Sequence, residues 1–242
     1  PSVSRMIAAR RHETPYPARW FSIAEFMRYE RPQKGREREF WQLNADIFGA
    51  ESARADAEII QMGYACLAEL GAKPDMFTIK VNDRQLVDAI MQEYLELDTV
   101  QAQLMMKLFD RKTKVSHEDF RDEAIKIFGD KAASKGLRKI AALISAQSID
   151  ELPEQIRARA GRVQDVLDIL AESKITNVRF DASLMRGLDY YSGIVFEFFD
   201  NHPENNRALF GGGRYDGLVG LFGAEPLSAV GIAPGYTMTE VF

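Results

Sequence analysis

Two charged segments, separated by more than half of the chain, carry the residue types needed to hold an anionic ligand. The first contains Arg28, Glu30, Arg31, Lys34, Arg36 and Arg38 and runs into Phe40. The second contains Arg186, Asp189, Tyr190 and Tyr191, set between Gly187 and Gly193. A guanidinium presents planar, paired donors that match phosphate oxygens two at a time. Arg28 and Arg36 stand at opposite ends of a turn, so one ligand lying across a sheet could meet both. Phe40 offers a flat face on which a base could stack. Beyond it Gln42, Asn44 and Asp46 recur at period two and share one strand face, with Trp41, Leu43, Ala45 and Ile47 on the other. That row would floor a small polar substrate, and Asp46 would hold a cationic amine or an imidazole. A solvated hairpin with one wet face has the same composition, and both readings stand at this point. The second segment resists the plainer explanation. A turn entering a strand accounts for the glycines and aromatic packing for one tyrosine, but not for Arg186 and Asp189 together.

A third candidate is the run Gly211, Gly212, Gly213, Arg214, Tyr215, Asp216, Gly217. It reads as a flexible loop opening a helix, whose backbone would approach a ligand closely and whose N-terminus would favour an anion. It is neither a Walker A loop nor a dinucleotide fingerprint. His12, His117 and His202 are scattered without metal-ligand spacing, so no metal site is expected of them. Cys66 is the single cysteine, which excludes an intrachain disulfide and a cysteine-based zinc cluster and fits a reducing cytoplasm.

These residues need rigid elements beneath them, and the chain supplies both kinds. Its 242 residues, 46% hydrophobic and 28% charged, suit one large domain or a core with a smaller insert. A net charge of -5 argues against nonspecific polyanion binding. No apolar run approaches the roughly 18–20 residues that span a bilayer, so no membrane is expected. Alternation predicts strands over 20–29 and 38–49, joined as a long antiparallel hairpin. Apolar spacing predicts a helix over 53–70, stopped by Gly71. A strand over 76–81 follows, then a helix over 83–94 with Asn82 as its N-cap. A short helix over 2–10 opens the chain. From 98 to about 175 only helical patterns occur, at 98–109, 117–127, 132–146, 153–158 and 162–173. Strands return at 178–180, 194–199, 208–211 and 227–232, with a helix over 215–221. The whole reads as α+β: an antiparallel sheet flanked by helices, residues 1–97 and 176–242, interrupted by a helical insertion domain over 98–175.

Taken together, the segments resemble histidyl-tRNA synthetase, a class II aminoacyl-tRNA synthetase. Residues 28–36 look like the family's form of class II motif 2. Residues 186–191 match its histidine-specific signature, and 212–217 match the glycine-rich segment ahead of motif 3. The resemblance implies a ligase of protein biosynthesis that uses ATP, with Mg2+, to convert L-histidine to histidyl-adenylate and then charges tRNA-His, as a cytoplasmic homodimer. By position it implies that Arg28 contacts the α-phosphate and the histidine carboxylate, and that Arg36 reaches the β- and γ-phosphates. Phe40 would stack on adenine, with Glu30 on its amino group. Gln42, Asp46 and Gly212 would hold histidine, Arg186 would stabilise charge growing on the α-phosphate, and Tyr190 and Tyr191 would line the imidazole pocket.

The resemblance also implies absences. Motif 1 and a glutamate for the histidine amino group are expected before residue 1, and an anticodon-binding domain after residue 242. A piece of this extent is expected to be weakly active or inactive alone. Met238 stands where motif 3 should place an arginine. A synthetase-like, histidine-sensing regulatory subunit of ATP phosphoribosyltransferase would account for that methionine. It would not require the arginine-rich hairpin.

Overall fold

The computed structural model describes residues 1–33, 35–112, 115–185, 190–205 and 208–242. A seven-stranded sheet organises them, in the order β1-β2-β7-β6-β5-β3-β4. Its strands are β1 (Ala18–Met27), β2 (Glu39–Phe48), β3 (Phe77–Asp83), β4 (Val178–Phe180), β5 (Ile194–Asp200), β6 (Ala208–Arg214) and β7 (Ala229–Ile232). Neighbours run antiparallel except β3 and β4, which are parallel.

The expected hairpin forms. β1 and β2 pair from Ala18↔Phe48 to Met27↔Glu39, and the Arg28 amide donates to the Arg38 carbonyl at 2.8 Å to close the ladder. Gly35, at φ +72°, sits where the loop must turn back, a conformation that costs glycine little. Helix α1 (Ser2–Ala9) precedes the hairpin and α2 (Ala53–Glu69) follows it. Ser52 caps α2 by accepting from the Ala55 amide at 3.2 Å, and Gly71 ends it at φ +97°, as its position suggested. Helix α2 lies on the sheet, burying Ile59, Ile60 and Leu67 in one continuous apolar core with Phe77, Phe196 and Phe198. Each such side chain contributes roughly 1.5–3 kcal/mol by leaving water.

The third predicted helix needs correction. Asn82 is not its cap: Asp83 caps α3 (Arg84–Ala89) by accepting from the Gln85 amide at 2.7 Å. Asn82 turns inward instead, fully buried, and its amide donates to the carbonyls of Ala182 (3.4 Å) and Leu184 (3.0 Å). The helix then widens into a π turn at Ile90–Tyr94 rather than continuing as one α-helix to residue 94.

Between 98 and 175 the described residues form helices and no strand: α4 (Thr99–Asp110), α5 (His117–Phe128), α6 (Asp130–Ser145), α7 (Glu154–Arg157) and α8 (Gly161–Glu172). Asp98 and Gln101 close a capping box on α4, and Ser116 caps α5 by accepting from the Asp119 amide at 3.0 Å. These helices share the sheet's apolar core, and Arg162 of α8 reaches Asp56 of α2 at 2.8 Å.

Two further expectations fail around the glycine run. Gly211, Gly212 and Gly213 lie within strand β6 rather than in a loop, and no α-helix covers 215–221. The chain pairs onward there, since the Tyr215 amide donates to the Ala229 carbonyl at 2.8 Å. Turns and a short 3-10 helix (Gly220–Phe222) then lead to β7, which opens at Ala229 instead of 227. Helix α9 (Tyr236–Val241) closes the described chain.

Glu96 links the π turn to α4 in a left-handed conformation, φ +59°. Lys135 and Lys139 of α6 grip its carboxylate at 2.9 and 2.8 Å, and their hydrogen bonds and charge lower its pKa from 4.5 to about 2. A folded pKa below the unfolded one means stability that is present above about 4.5 and lost as pH falls toward 2. Glu96→Gln should therefore melt below wild type at neutral pH, by a margin that salt shrinks because the pair is exposed. The two melting curves should converge in strong acid. A gap that widens in acid would contradict the assignment.

Candidate functional site

The sheet register places a bare strip at the centre of one face. Asp46 pairs with Gly231, Gly231 with Gly213, Gly213 with Val195, and Val195 with Asn82, so these residues form one row across five strands. Three of its neighbouring positions on this face, Gly211, Gly213 and Gly231, carry no side chain. A β-carbon on Gly213 would lie 2.9 Å from the Tyr191 ring, and one on Gly231 would lie 2.9 Å from the Tyr215 hydroxyl while overlapping the Asp46 carboxylate. The glycines thus let two tyrosines lie down onto the sheet.

Above this strip is a cavity of about 790 Å³, large enough for a nucleotide-sized ligand. Arg28 and Arg36 of the hairpin loop line it, with Phe40 and Gln42 of β2. Tyr190 and Tyr191 line it too, Tyr191 against Gly213 of β6, as do Lys80 of β3 and Asp181. The structure therefore brings together Arg28, Arg36, Phe40, Gln42, Tyr190, Tyr191 and Gly212 around one space. Glu30 and Asp46 stand behind that wall. Glu30 is turned to the arginines, 3.9 Å from Arg28 and 3.5 Å from Arg36. The Asp46 carboxylate accepts a hydrogen bond from the Tyr215 hydroxyl. Arg186 lies outside the described residues.

The face of Phe40 is not bare. The Arg28 guanidinium sits 4.1 Å from its ring centre, Phe26 stacks on it at 6.2 Å, and only 9% of the residue is exposed. Gln42 donates to the Ala233 carbonyl at 3.2 Å, which fixes its carboxamide at the cavity edge. Gly212 contributes backbone alone. A β-carbon there would overlap the Gly231 carbonyl and come within 2.6 Å of the Phe196 ring. Gly212→Ala should cost about 1–3 kcal/mol by forcing β6 and β7 apart. The urea midpoint would measure it, and an unchanged midpoint would contradict this packing.

Burial pushes the Tyr191 phenol up, with Tyr190 adding to the effect. Burial and then the Asp46 charge hold Tyr215 well above the ordinary range. Both are neutral donors at pH 7. Burial also raises Asp46, although the Tyr215 hydrogen bond opposes it. On the β3 side of the cavity Lys80 pairs with Asp181 at 2.9 Å, and Ser183 donates to Asp181 at 2.6 Å. Burial works to raise Asp181, but Lys80 and Ser183 outweigh it and keep the group low. Among the described residues no three His, Cys, Asp or Glu side chains converge as a metal cage. No described helix is long and apolar enough to cross a membrane.

Sequence reading missed Tyr215, Lys80 and Asp181. The signal for Tyr215 was present. Gly211, Gly213 and Tyr215 alternate, so extending the strand through them would have put Tyr215 on the same face as Gly213. Lys80 had a weaker signal, as one polar residue inside an apolar strand.

Comparison with known proteins bears on the fold and the family. A family model described as histidyl-tRNA synthetase matches residues 1–236. The histidine–tRNA ligase of Leptospira biflexa is 38% identical over 248 residues, covering 100% of this chain and 56% of that protein. The one from Haloarcula marismortui is 36% identical over 251 residues, with the same two coverages, 100% and 56%. The chain thus spans little more than half the length of these relatives. Among solved structures, a histidyl-tRNA synthetase from a Nostoc species superposes with a TM-score of 0.82 at 21% identity, over 99% of this chain and 57% of that one. An ATP phosphoribosyltransferase regulatory subunit/histidyl-tRNA synthetase from Bacillus halodurans gives 0.80 at 22%, over 99% and 62%. These two likenesses bear on the fold, which is that of the class II synthetases. The family match across nearly the whole chain carries the further conclusion: this chain belongs to the histidyl-tRNA synthetase family.

Proposed function

We propose that this chain is the adenylate-forming core of a histidine–tRNA ligase. It would hold L-histidine and ATP in the one cavity and join them. A histidine carboxylate oxygen forms a bond to the α-phosphorus, the bond from that phosphorus to the bridging oxygen breaks, and pyrophosphate leaves. A 3′-terminal ribose hydroxyl of tRNA-His then gives up its proton and attacks the histidyl carbonyl carbon, and AMP leaves as the bond from that carbon to the phosphate oxygen breaks. The observation that carries this reading is one cavity lined by both the hairpin arginines and the tyrosine pair, in a chain of this family.

Such a transfer needs positioning and charge neutralisation more than covalent help from the protein. Arg28 would hold the α-phosphate and the histidine carboxylate, and Arg36 the outer phosphates. Adenine would take the place on Phe40 now covered by the Arg28 guanidinium, with Glu30 near its amino group. Gln42 would meet histidine at the cavity edge, and Tyr190 and Tyr191 would enclose the imidazole. Asp46 would act from behind, orienting the Tyr215 hydroxyl. Arg186 would face the α-phosphate. Mg2+ would arrive on the triphosphate, keeping several of its waters. We assign 98–175 as the inserted helical module, with its last helix seated on α2, and the remainder as the catalytic core. A homodimer working in the cytoplasm completes the proposal.

A histidine-sensing regulatory subunit is the second reading, and one observation favours it. Met238 lines the cavity, pressed against Gly35 at the hairpin tip, where the family pattern would place an arginine. Two hairpin arginines on the same cavity favour the ligase. Histidine-dependent exchange of pyrophosphate into ATP decides between them. Measured on the full-length protein, exchange is expected, whereas histidine binding there without exchange would transfer the chain to the regulatory class.

A further inference from the structure

Tyr190 and Tyr191 are held from behind by a line of polar side chains that begins on the opposite side of the sheet. Asp56 of α2 is fully buried, and so is Arg214 at the end of β6, at 2% exposure. The Arg214 Nε donates to Asp56 Oδ1 at 2.8 Å, and its Nη1 donates to Asp216 Oδ1 at 3.1 Å. Asp216 is joined twice to Ser192: its Oδ2 accepts from the Ser192 hydroxyl at 3.1 Å, and its amide donates to the same hydroxyl oxygen at 2.9 Å. The Ser192 amide in turn donates to the Arg214 carbonyl at 2.8 Å. Gly193 completes the contact, because a β-carbon there would lie 3.0 Å from Arg214 Cδ. The residues that follow the tyrosine pair are thus bonded to side chains whose position is set by a carboxylate in helix α2.

We propose that Asp56 is a positioning residue for the tyrosine pair, acting through Arg214, Asp216 and Ser192 to fix where Tyr190 and Tyr191 stand over the glycine strip. Ion pairing alone gives little reason for burying a charge here, since well-packed apolar residues often replace a buried pair without loss of stability. What apolar residues cannot do is hand a directional hydrogen bond to Asp216 and from there to Ser192. Two guanidiniums converge on the two Asp56 oxygens, because Arg162 of α8 also donates to Oδ2 at 2.8 Å. Its carboxylate is therefore orientationally fixed, and the line it anchors has no slack at its origin. Tyr191 lies so close to Gly213 that a small drift of its segment would open the ring to water. Affinity for an imidazole at the tyrosine pair would then fall. That last step rests on the histidine reading above, whereas the positioning itself does not.

The test uses Ser192→Ala, which cuts the final link without touching the buried charge, Asp56→Asn, and Ser192→Thr as the conservative control. Two quantities are measured on folded protein: ultraviolet titration of the phenols without ligand, and calorimetric affinities for L-histidine and for ATP separately. In Ser192→Ala one phenol that is silent in wild type should ionise in the ordinary tyrosine range, near about 10. Histidine affinity should fall about tenfold while ATP affinity stays within about twofold, because a misplaced group loses only its own ligand. Asp56→Asn should do the same, and Ser192→Thr should restore both values. Unchanged phenol titration in folded Ser192→Ala would overturn the proposal, as would equal losses for histidine and ATP. If wild type binds no histidine, the ligase reading fails, and the phenol titration still decides whether Asp56 positions the tyrosines.

Discussion

Replacing Asp56 with alanine will cost about 3–5 kcal/mol of folding stability, because it leaves the Arg214 guanidinium buried without its counter-charge. Removing one member of a buried pair strands the other, and the half-buried neighbour Asp216, 3.1 Å away, is a weaker substitute. Much of a typical domain's net stability of 5–15 kcal/mol would disappear with one side chain. Guanidinium denaturation gives the number directly. Changing Asp56 and Arg214 together to leucine and methionine should recover part of the loss, since the fully buried pair is then gone, while the half-buried Arg162 keeps an unpartnered charge there. A loss below about 1 kcal/mol for Asp56→Ala would show that water reaches Arg214, contrary to its burial.

Arg28→Ala will lower histidine-dependent pyrophosphate exchange by about 10²–10³, the usual effect of deleting one donor aimed at charge that grows in the transition state. Stability should hardly change. The Arg28 side chain is 51% exposed, and its links in the structure are the Phe40 ring and a 3.9 Å contact with Glu30. Loss of the ring contact costs roughly 0.5–1 kcal/mol. Arg28→Lys should recover only part of the rate, since an ammonium cannot bind two oxygens in a plane. The comparison is made at saturating ATP and histidine, so that the turnover number is read apart from affinity. Exchange within threefold of wild type would remove Arg28 from the proposed role.

Much of this architecture is written in local pattern. The hairpin was legible because apolar and polar residues alternate through both strands, and its strands lie within two residues of the ranges expected from alternation. Helices α4, α5 and α8 were legible because their apolar residues recur at helical spacing and polar caps such as Asp98 and Ser116 precede two of them. Strand β6 was hard to read for a physical reason. Three consecutive glycines have no side chains to alternate, and what fixes them as a strand is the close approach of β7 and the tyrosine rings. Asn82 illustrates a second limit. The same carboxamide can cap a helix or bridge two carbonyls, and carbonyls one hundred residues away decided the matter.

The candidate site divides along the same line. Arg28, Arg36, Phe40 and Gln42 were found because they sit close together on one hairpin, and Tyr190 and Tyr191 because they form an unusual string. Tyr215 and Lys80 reach the site only through strand order, which no local pattern encodes. Glu30 and Asp46 were correctly placed on the hairpin. Their side chains were nevertheless captured by Arg36 and Tyr215, partners that emerge only once the loop and sheet have closed.

The single parallel pairing in the sheet has a kinetic consequence. Strands β3 and β4 can meet only after the whole run from Arg84 to Asn177 has been gathered into a crossover, and β2 must wait for β7, since Ala45 pairs with Ile232. Long loops must therefore close before these contacts repay the entropy they cost, which places refolding on the slow side for a chain of this size. The β1–β2 hairpin forms from neighbouring residues and keeps Phe21, Ile23 and Met27 uncovered even in the finished fold. Its outward Arg19 and Glu25 are the charges that discourage one nascent chain from adding to another.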